Sequence, residues 1–173
     1  MGWLARLLGK EAEACPMAEL YAAVVVEARD PAWYLDGAVP DTIDGRFEML
    51  ALILSLVFAR LDIDDAGIRR RTVELTERFV DDMDGQVRQS GFGDMVVGKH
   101  VGKMMGALGG RIGAYRDRPD GTGALEQALV RNLYRGHPPT PTSLDWTVAR
   151  VRMLAAGLSA LPVEAVLAGQ VRP

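Results

Sequence analysis

The chain is poor in the residues that commonly hold metals or form cross-links. It has 173 residues but one cysteine, Cys15, and two histidines, His100 and His137, which lie far apart in the sequence. A lone thiol excludes an internal disulfide, which is typical of a protein in the reducing cytoplasm. Because no Cys/His cluster exists, we expect neither a metal site nor a cofactor.

Long apolar runs and an excess of basic charge are also missing. The longest uncharged run, Met49 to Ala59, is much shorter than the roughly 20 apolar residues of a membrane-spanning helix. Arg6 interrupts the apolar residues at the start of the chain, so we expect no secretory signal. The net charge of -3 argues against a general nucleic-acid partner.

The sequence does contain apolar residues at helical spacing along nearly its whole length. Apolar residues make up 49% and charged residues 25%, which is typical of a soluble globular domain. Alternating strand patterns are lacking, so we predict an all-α fold, a single-domain helical bundle of about six or seven helices. We assign 1–15 as a short amphipathic N-terminal segment and 16–173 as the helical domain. The predicted helices of that domain span approximately 16–30, 42–61, 65–90, 95–115, 124–134 and 143–167.

Three of these regions carry more detailed predictions. The helix from 42 is apolar on most sides over 49–58, so we expect it to be the central buried helix. Pro31 is expected to end the preceding helix and begin an ordered loop, and Pro162 to restart or kink the last helical region. The helix from 65 has these likely core residues: Val73, Leu75, Phe79, Val80, Met83 and Val87.

Five residues are predicted to shape helix ends. Asp41 or Thr42 has the side chain to cap the helix that follows it. Gly91 suits the left-handed conformation common just past a helix end, and Gly93 lies in the same turn. Asp94 is expected to cap the next helix.

The stretch GDMVVGKH resembles a phosphate-binding P-loop but lacks two of its requirements. Gly93, Gly98 and Lys99 are in register, whereas His100 replaces the Ser or Thr that would bind magnesium. A P-loop also follows a strand, and the residues before Gly93 have helical spacing. We therefore interpret the glycines as a corner between two helices and Lys99 as a surface or network charge.

The stretch DDMDG resembles a calcium loop, and this match also fails. Asp82 and Asp84 fall at the third and fifth positions of such a loop, but Val80 and Gly91 occupy its first and twelfth, where carboxylates are needed. We expect a solvated acidic helix face instead, with Asp84 and Arg88 paired at i,i+4.

A row of glycines in the helix 95–115 calls for a separate explanation. An interior glycine weakens a helix by about 1 kcal/mol relative to alanine, so something must offset the row. Residues four apart form a shallow groove on a helix, into which another helix can pack. We predict that a helix of the same chain fills most of this groove, and that Gly98 is left open to a partner. The row consists of Gly98, Gly102, Gly106, Gly109, Gly110 and Gly113.

The same helix and the N-terminal segment favour a second function, a peripheral membrane or lipid-binding module. Basic residues collect on the helix, and such a cluster can meet an anionic membrane surface, although a solvated charged face is commoner. Apolar side chains beside Arg6 and Lys10 give the N-terminal segment a composition that suits a membrane interface. The residues concerned are Trp3, Leu4, Leu7 and Leu8 in the segment, and Lys99, His100, Lys103, Arg111, Arg116 and Arg118 in and just after the helix.

Four motifs in this order resemble the ubiquinol–cytochrome c chaperone family. They are DTIDGRF at Asp41–Phe47, DDMDGQVRQSGFGDMVVGKHV at Asp81–Val101, GGRIGAY at Gly109–Tyr115 and LYRG at Leu133–Gly136. The resemblance covers roughly residues 16–140. It implies an all-α assembly factor of respiratory complex III, not an enzyme, acting with a small helper protein on cytochrome b or another complex III subunit. Its expected location is the cytoplasm, with peripheral attachment at the inner face of the cell membrane.

The resemblance also carries over a set of candidate residues. Several of the matching positions have structural explanations as caps or turns. The others could form one ion-pair network between helices or a contact surface for a partner, and the sequence leaves both open. These candidates are Arg46, Asp82, Asp84, Arg88, Gly98, Lys99, Arg111 and Tyr115.

Overall fold

The computed structural model describes residues 17–89, 94–116 and 123–172, without the side chains of 87, 89, 94–101 and 116. In these ranges the chain forms helices and no strand, so the predicted all-α single-domain fold is confirmed. Six long helices match the predicted ones, and two further helices have five residues each. In chain order the helices are α1 (Ala18–Ala28), α2 (Pro31–Leu35), α3 (Ile43–Arg60), α4 (Ala66–Gln89), α5 (Asp94–Arg116), α6 (Ala124–Asn132), α7 (Pro141–Ala160) and α8 (Val163–Leu167).

Helix α3 is the central element of the core, as its sequence predicted. Every residue from Met49 to Phe58 is buried, because α1, α5 and α7 all pack against this helix. Its start is fixed by Thr42, whose hydroxyl oxygen accepts a hydrogen bond from the Gly45 amide at 3.1 Å. Thr42 is therefore the cap, and Asp41 has a different contact.

The region after α1 differs from the ordered loop that we predicted. Pro31 does not only end α1; it occupies the first turn of α2, where a missing N–H costs nothing. The Asp30 side chain caps α2 by accepting a hydrogen bond from the Ala32 amide at 3.0 Å. The new helix carries Trp33 into the core, where its side chain is fully buried.

Helix α4 confirms three of its six predicted core residues and contradicts one. Of the other two, Val80 is half-buried, and the side chain of Val87 lies outside the described residues. Leu75, Phe79 and Met83 are buried and lie on one face of the helix. Val73 was expected in the core but is 57% exposed. The reason is geometric, since two residues along an α-helix turn the side chain by about 200°, which directs Val73 away from the face of Leu75.

The C-terminal part is joined to α3 through one arginine. The Arg60 guanidinium donates hydrogen bonds to the backbone oxygens of Leu158 at 2.9 Å and Leu161 at 2.8 Å. These carbonyls lie at the end of α7, where helix carbonyls have no partner within the helix. The chain then restarts as α8 after Pro162, as predicted.

Candidate functional site

Two candidate residues, Arg46 near the start of α3 and Asp82 near the end of α4, each have a described polar partner. Arg46 pairs with Asp41 at 2.6 Å, and this bond lowers the pKa of Asp41 and raises that of Arg46. Asp82 accepts a hydrogen bond from the Tyr21 hydroxyl at 2.7 Å. Burial, together with that bond, raises the pKa of Tyr21. The first contact holds Asp41 against the start of α3, and the second joins α1 to α4.

The remaining described candidates lie in two other places. Asp84 and Arg88 form the expected i,i+4 pair at 2.5 Å. Arg111 donates two hydrogen bonds, of 2.8 and 2.6 Å, to the carboxylate of the buried Glu48 of α3. These hydrogen bonds raise the pKa of Arg111. Burial also raises the pKa of Tyr115.

The contacts described for these candidates are four pairs: Asp41–Arg46, Tyr21–Asp82, Asp84–Arg88 and Glu48–Arg111. The Asp41–Arg46 and Asp84–Arg88 pairs are local in sequence, because each joins residues four or five positions apart. The other two pairs join different helices, and because the Lys99 side chain is undescribed, both alternatives, an ion-pair network and a contact surface, stay predictions.

Several candidates cannot be placed in this way. Gly91 and Gly93 lie outside the described residues. Gly98 and Lys99 belong to α5, but nothing is described beyond their backbone. Asp94 is the first residue of α5, and its role as a cap stays a prediction because its side chain is likewise undescribed.

A partly buried cluster of four charged side chains was not predicted from the sequence. We call it the ion-pair clasp, and it consists of Glu27, Asp30, Arg150 and Arg172. The Glu27 side chain is 1% exposed and lies 3.2 Å from an Arg150 nitrogen. Asp30 contacts Arg150 at 2.6 Å and Arg172 at 2.8 Å, and Arg172 also bonds Glu27. The clasp joins α1 to α7 and to the C-terminal tail.

Two tryptophans pack around the arginine of the clasp. The Arg150 guanidinium lies 4.6 Å from the ring centre of Trp33 and 5.3 Å from that of Trp146. The two rings meet edge to face, with centroids 5.6 Å apart. Attraction between a cation and aromatic rings therefore adds to the ion pairs of Glu27 and Asp30. The only sequence signal was a carboxylate, Glu27, within the apolar run AAVVVEA.

A groove opens where the end of α3, the first half of α4 and the second half of α5 meet. Its volume is about 810 Å³. We call it the α4–α5 groove. Val73 and Ile63, large apolar side chains that are 57% and 38% exposed, border it. Contiguous exposed apolar surface of this kind commonly marks a binding site. Its apolar lining residues are Phe58, Ala59, Leu61, Ile63, Val73, Met105, Leu108, Gly109 and Ile112.

A smaller furrow extends the groove along α4. It has a volume of about 280 Å³ and shares Thr72, Val73 and Thr76 with the groove, adding Glu77, Val80 and Asp81. The charged residues that line the two together are four carboxylates and one arginine. They are Asp62, Asp64, Glu77, Asp81 and Arg69, and Arg69 is paired with Asp64.

The glycines of α5 face outwards beside this groove, contrary to our prediction. A Cβ atom added at Gly102, Gly106, Gly109, Gly110 or Gly113 would meet no atom within 4 Å. All five are exposed, while Leu108 and Tyr115 on the other side of α5 are buried. No helix of the described chain packs on these five glycines, so the prediction that a helix of the same chain fills most of the row is wrong for them, Gly106 included. We call these five residues the glycine stripe.

The described residues show neither a spanning helix nor a metal cluster. Across 17–89, 94–116 and 123–172, no helix is both long and apolar enough to cross a membrane. The same ranges contain no group of three or more His, Cys, Asp or Glu side chains placed to hold a metal ion.

Comparison with known proteins adds the identity of the family. The sequence profile of a family described as ubiquinol–cytochrome c chaperone matches residues 35–173. A crystal structure of the Cbp3 homolog from Brucella abortus has the same all-helical fold, with a TM-score of 0.78 and 29% sequence identity. That match covers 96% of this chain and 94% of the Brucella chain. None of the curated proteins matches. The chain belongs to the ubiquinol–cytochrome c chaperone family.

Proposed function

We propose that the chain is a non-enzymatic chaperone in the assembly of the ubiquinol–cytochrome c reductase, respiratory complex III. The observation that carries this proposal is the family match over residues 35–173, together with the likeness to the Cbp3 homolog along almost the whole chain. The α4–α5 groove supports it, because a chaperone needs exposed apolar surface on which an unassembled subunit can be held.

The client that we propose is cytochrome b, a membrane protein whose apolar segments need protection from water before insertion. A small helper protein is the second proposed partner. Both follow from the family resemblance. An apolar groove bordered by Val73 and Ile63 suits such a client better than it suits a hydrophilic partner.

The proposal is tested by deleting the gene in an organism that makes complex III. We expect the level of assembled complex III and the absorbance of cytochrome b to fall, and a pull-down in mild detergent to retain cytochrome b. Complex III and cytochrome b at their normal levels after deletion would contradict the proposal.

Peripheral attachment at the inner face of the membrane is a separate proposal. It rests on the apolar and basic residues of segment 1–15, which lies outside the described residues, and on exposed Lys103 of α5. Flotation with anionic vesicles tests it, using the full chain and a variant that lacks residues 1–12. Equal absence of binding by both chains would remove the membrane proposal and leave the assembly function untouched.

A further inference from the structure

We propose that the α4–α5 groove and the glycine stripe together form the site for one apolar α-helix with a basic flank, such as a membrane segment of the client before insertion. This inference rests on the proposed function, because it locates the client on the chaperone. It names a surface between α4 and α5 that none of the family-derived candidate residues identified.

The first argument is that the glycine stripe has no use inside the described chain. Each interior glycine weakens a helix relative to alanine, and α5 contains five described glycines in twelve residues. A packed neighbour could offset that weakness, but the space above all five is open. Because nothing among the described residues supplies this compensation, we assign it to a molecule that covers the stripe.

The second argument concerns the shape of that molecule. Small residues on one face of a helix allow the backbone of a second helix to approach more closely than larger side chains would. Gly109 belongs both to the stripe and to the wall of the groove. Large apolar side chains of the incoming helix can therefore enter the groove between Val73 and Ile112 while its backbone lies along the stripe.

The third argument is the charge around the opening. Of the five charged residues that line the groove and its furrow, four are carboxylates and one is an arginine. Arg69 pairs with Asp64, and Arg78 beside the furrow pairs with Asp81, so the carboxylates still outnumber the guanidinium groups. Such a border favours an apolar segment that ends in lysine or arginine. Membrane segments carry this kind of flank on their cytoplasmic side.

Binding of a model helix tests the site directly. The probe is a fluorescent peptide of about 20 leucine and alanine residues with lysines at one end, kept in mild detergent. We expect Gly106→Leu and Gly109→Leu to raise the Kd for this probe at least about tenfold, because leucine fills the space that the incoming backbone requires. Circular dichroism and thermal melting should show that both variants fold.

Gly85→Leu is the matched control. Gly85 is another helical glycine with nothing within 4 Å of an added Cβ, but it lies on α4 outside the groove and its furrow. We expect this variant to bind the probe like the unchanged protein. A second probe with glutamates in place of its lysines should bind more weakly than the first.

Three outcomes would overturn the site. The unchanged protein could fail to bind the probe, all three leucine variants could bind it equally well, or the stripe could be covered by a second copy of the chain. The last is detected by sedimentation as a dimer that Gly109→Leu dissociates.

Cytochrome b capture separates the site from the function. If the unchanged protein and Gly109→Leu both retain cytochrome b, the function stands and the site is wrong. If neither retains it but the probe still distinguishes Gly109→Leu from Gly85→Leu, the site stands and the proposed client is wrong.

Discussion

Around α2 and α7 the chain buries charged side chains, whereas along α4 and α5 it exposes apolar side chains and glycines. On the clasp side, the fully buried Glu27 meets Arg150 and Arg172, and Trp33 covers the cluster. On the groove side, Val73 is 57% exposed, and a Cβ atom added at any residue of the glycine stripe would meet no atom within 4 Å. Charged residues usually lie at the surface and large apolar residues in the core. The clasp reverses the first preference and the groove reverses the second.

The two regions also differ in how their glycines are packed. Gly45, at the start of α3, is buried, and a Cβ atom there would overlap the carbonyl oxygen of Pro40. Gly106 on α5 is exposed with open space above it. The first glycine is explained by the fold, and the second is not. We infer that the glycines of the stripe lower the stability of α5 and are there for binding.

The largest expected effect comes from breaking the clasp with Glu27→Gln. Removing the charge of Glu27 leaves Asp30 as the one carboxylate of the clasp for two guanidinium groups, so unfolding should become easier by about 3 kcal/mol. Urea unfolding measures this change. Glu77→Gln, at an exposed site on α4, is the control and should change stability by less than about 0.5 kcal/mol. Equal effects at the two sites would show that the clasp does not stabilise the fold.

A smaller loss is expected for Gly45→Ala. The added methyl group collides with backbone rather than with a flexible side chain, so α3 must shift at its first turn. Overpacking of this kind typically costs about 1–3 kcal/mol. A thermal melt that matches the unchanged protein would mean that the Pro40–Gly45 approach is looser than described.

The charge of Asp30 should give a pH-dependent effect. The Ala32 amide, with help from Arg150 and Arg172, lowers the pKa of Asp30 from 3.8 to about 2. A lowered pKa means that the ionised form stabilises the fold above pH 3.8 and that this stabilisation is lost as the pH falls towards 2.

Asp30→Asn keeps a capping side chain and removes the charge. We therefore expect it to lose about 1 kcal/mol at neutral pH, a modest amount because solvent screens Asp30 in part. The gap between variant and unchanged protein should close near pH 2. A gap that stays constant with pH would contradict the role of the charge.

The smallest effect, and one of opposite sign, is expected for Gly106→Ala. Alanine is the better helix former and meets no atom, so α5 should gain about 0.5–1 kcal/mol in stability. A loss of stability in thermal unfolding would mean that the described chain does pack against the stripe.

Local signals were sufficient to predict most of the fold. The spacing of apolar residues located the long helices. The two polar residues before α3, Asp41 and Thr42, were both predicted as candidates for its N-cap, and Thr42 is the one that caps the helix. The exposure of Val73 could have been predicted, because Leu75, Phe79 and Met83 share one face of α4 at spacings of four and Val73 lies about 200° away from that face. The short helix α2 was missed because Pro31 can end one helix and begin another with the same geometry.

The clasp and the glycine stripe were harder to predict from the sequence, each for its own reason. The clasp joins residues more than a hundred positions apart, such as Glu27 and Arg150, and no local pattern links them. The glycine stripe was visible, but its direction was not, since a glycine has neither an apolar nor a polar side chain to indicate whether it faces the core. Its spacing alone fits both a packed and an open face.

Site-specific photo-cross-linking in cells tests the central claim most directly. A benzophenone side chain placed at Val73 lies in the groove, whereas one at Leu35, which is 79% exposed on α2, lies on the clasp side. We predict that cytochrome b is captured from position 73 and not from position 35 while complex III is being assembled. Capture from position 35 alone, or equally from both, would contradict the assignment of the client to the α4–α5 groove.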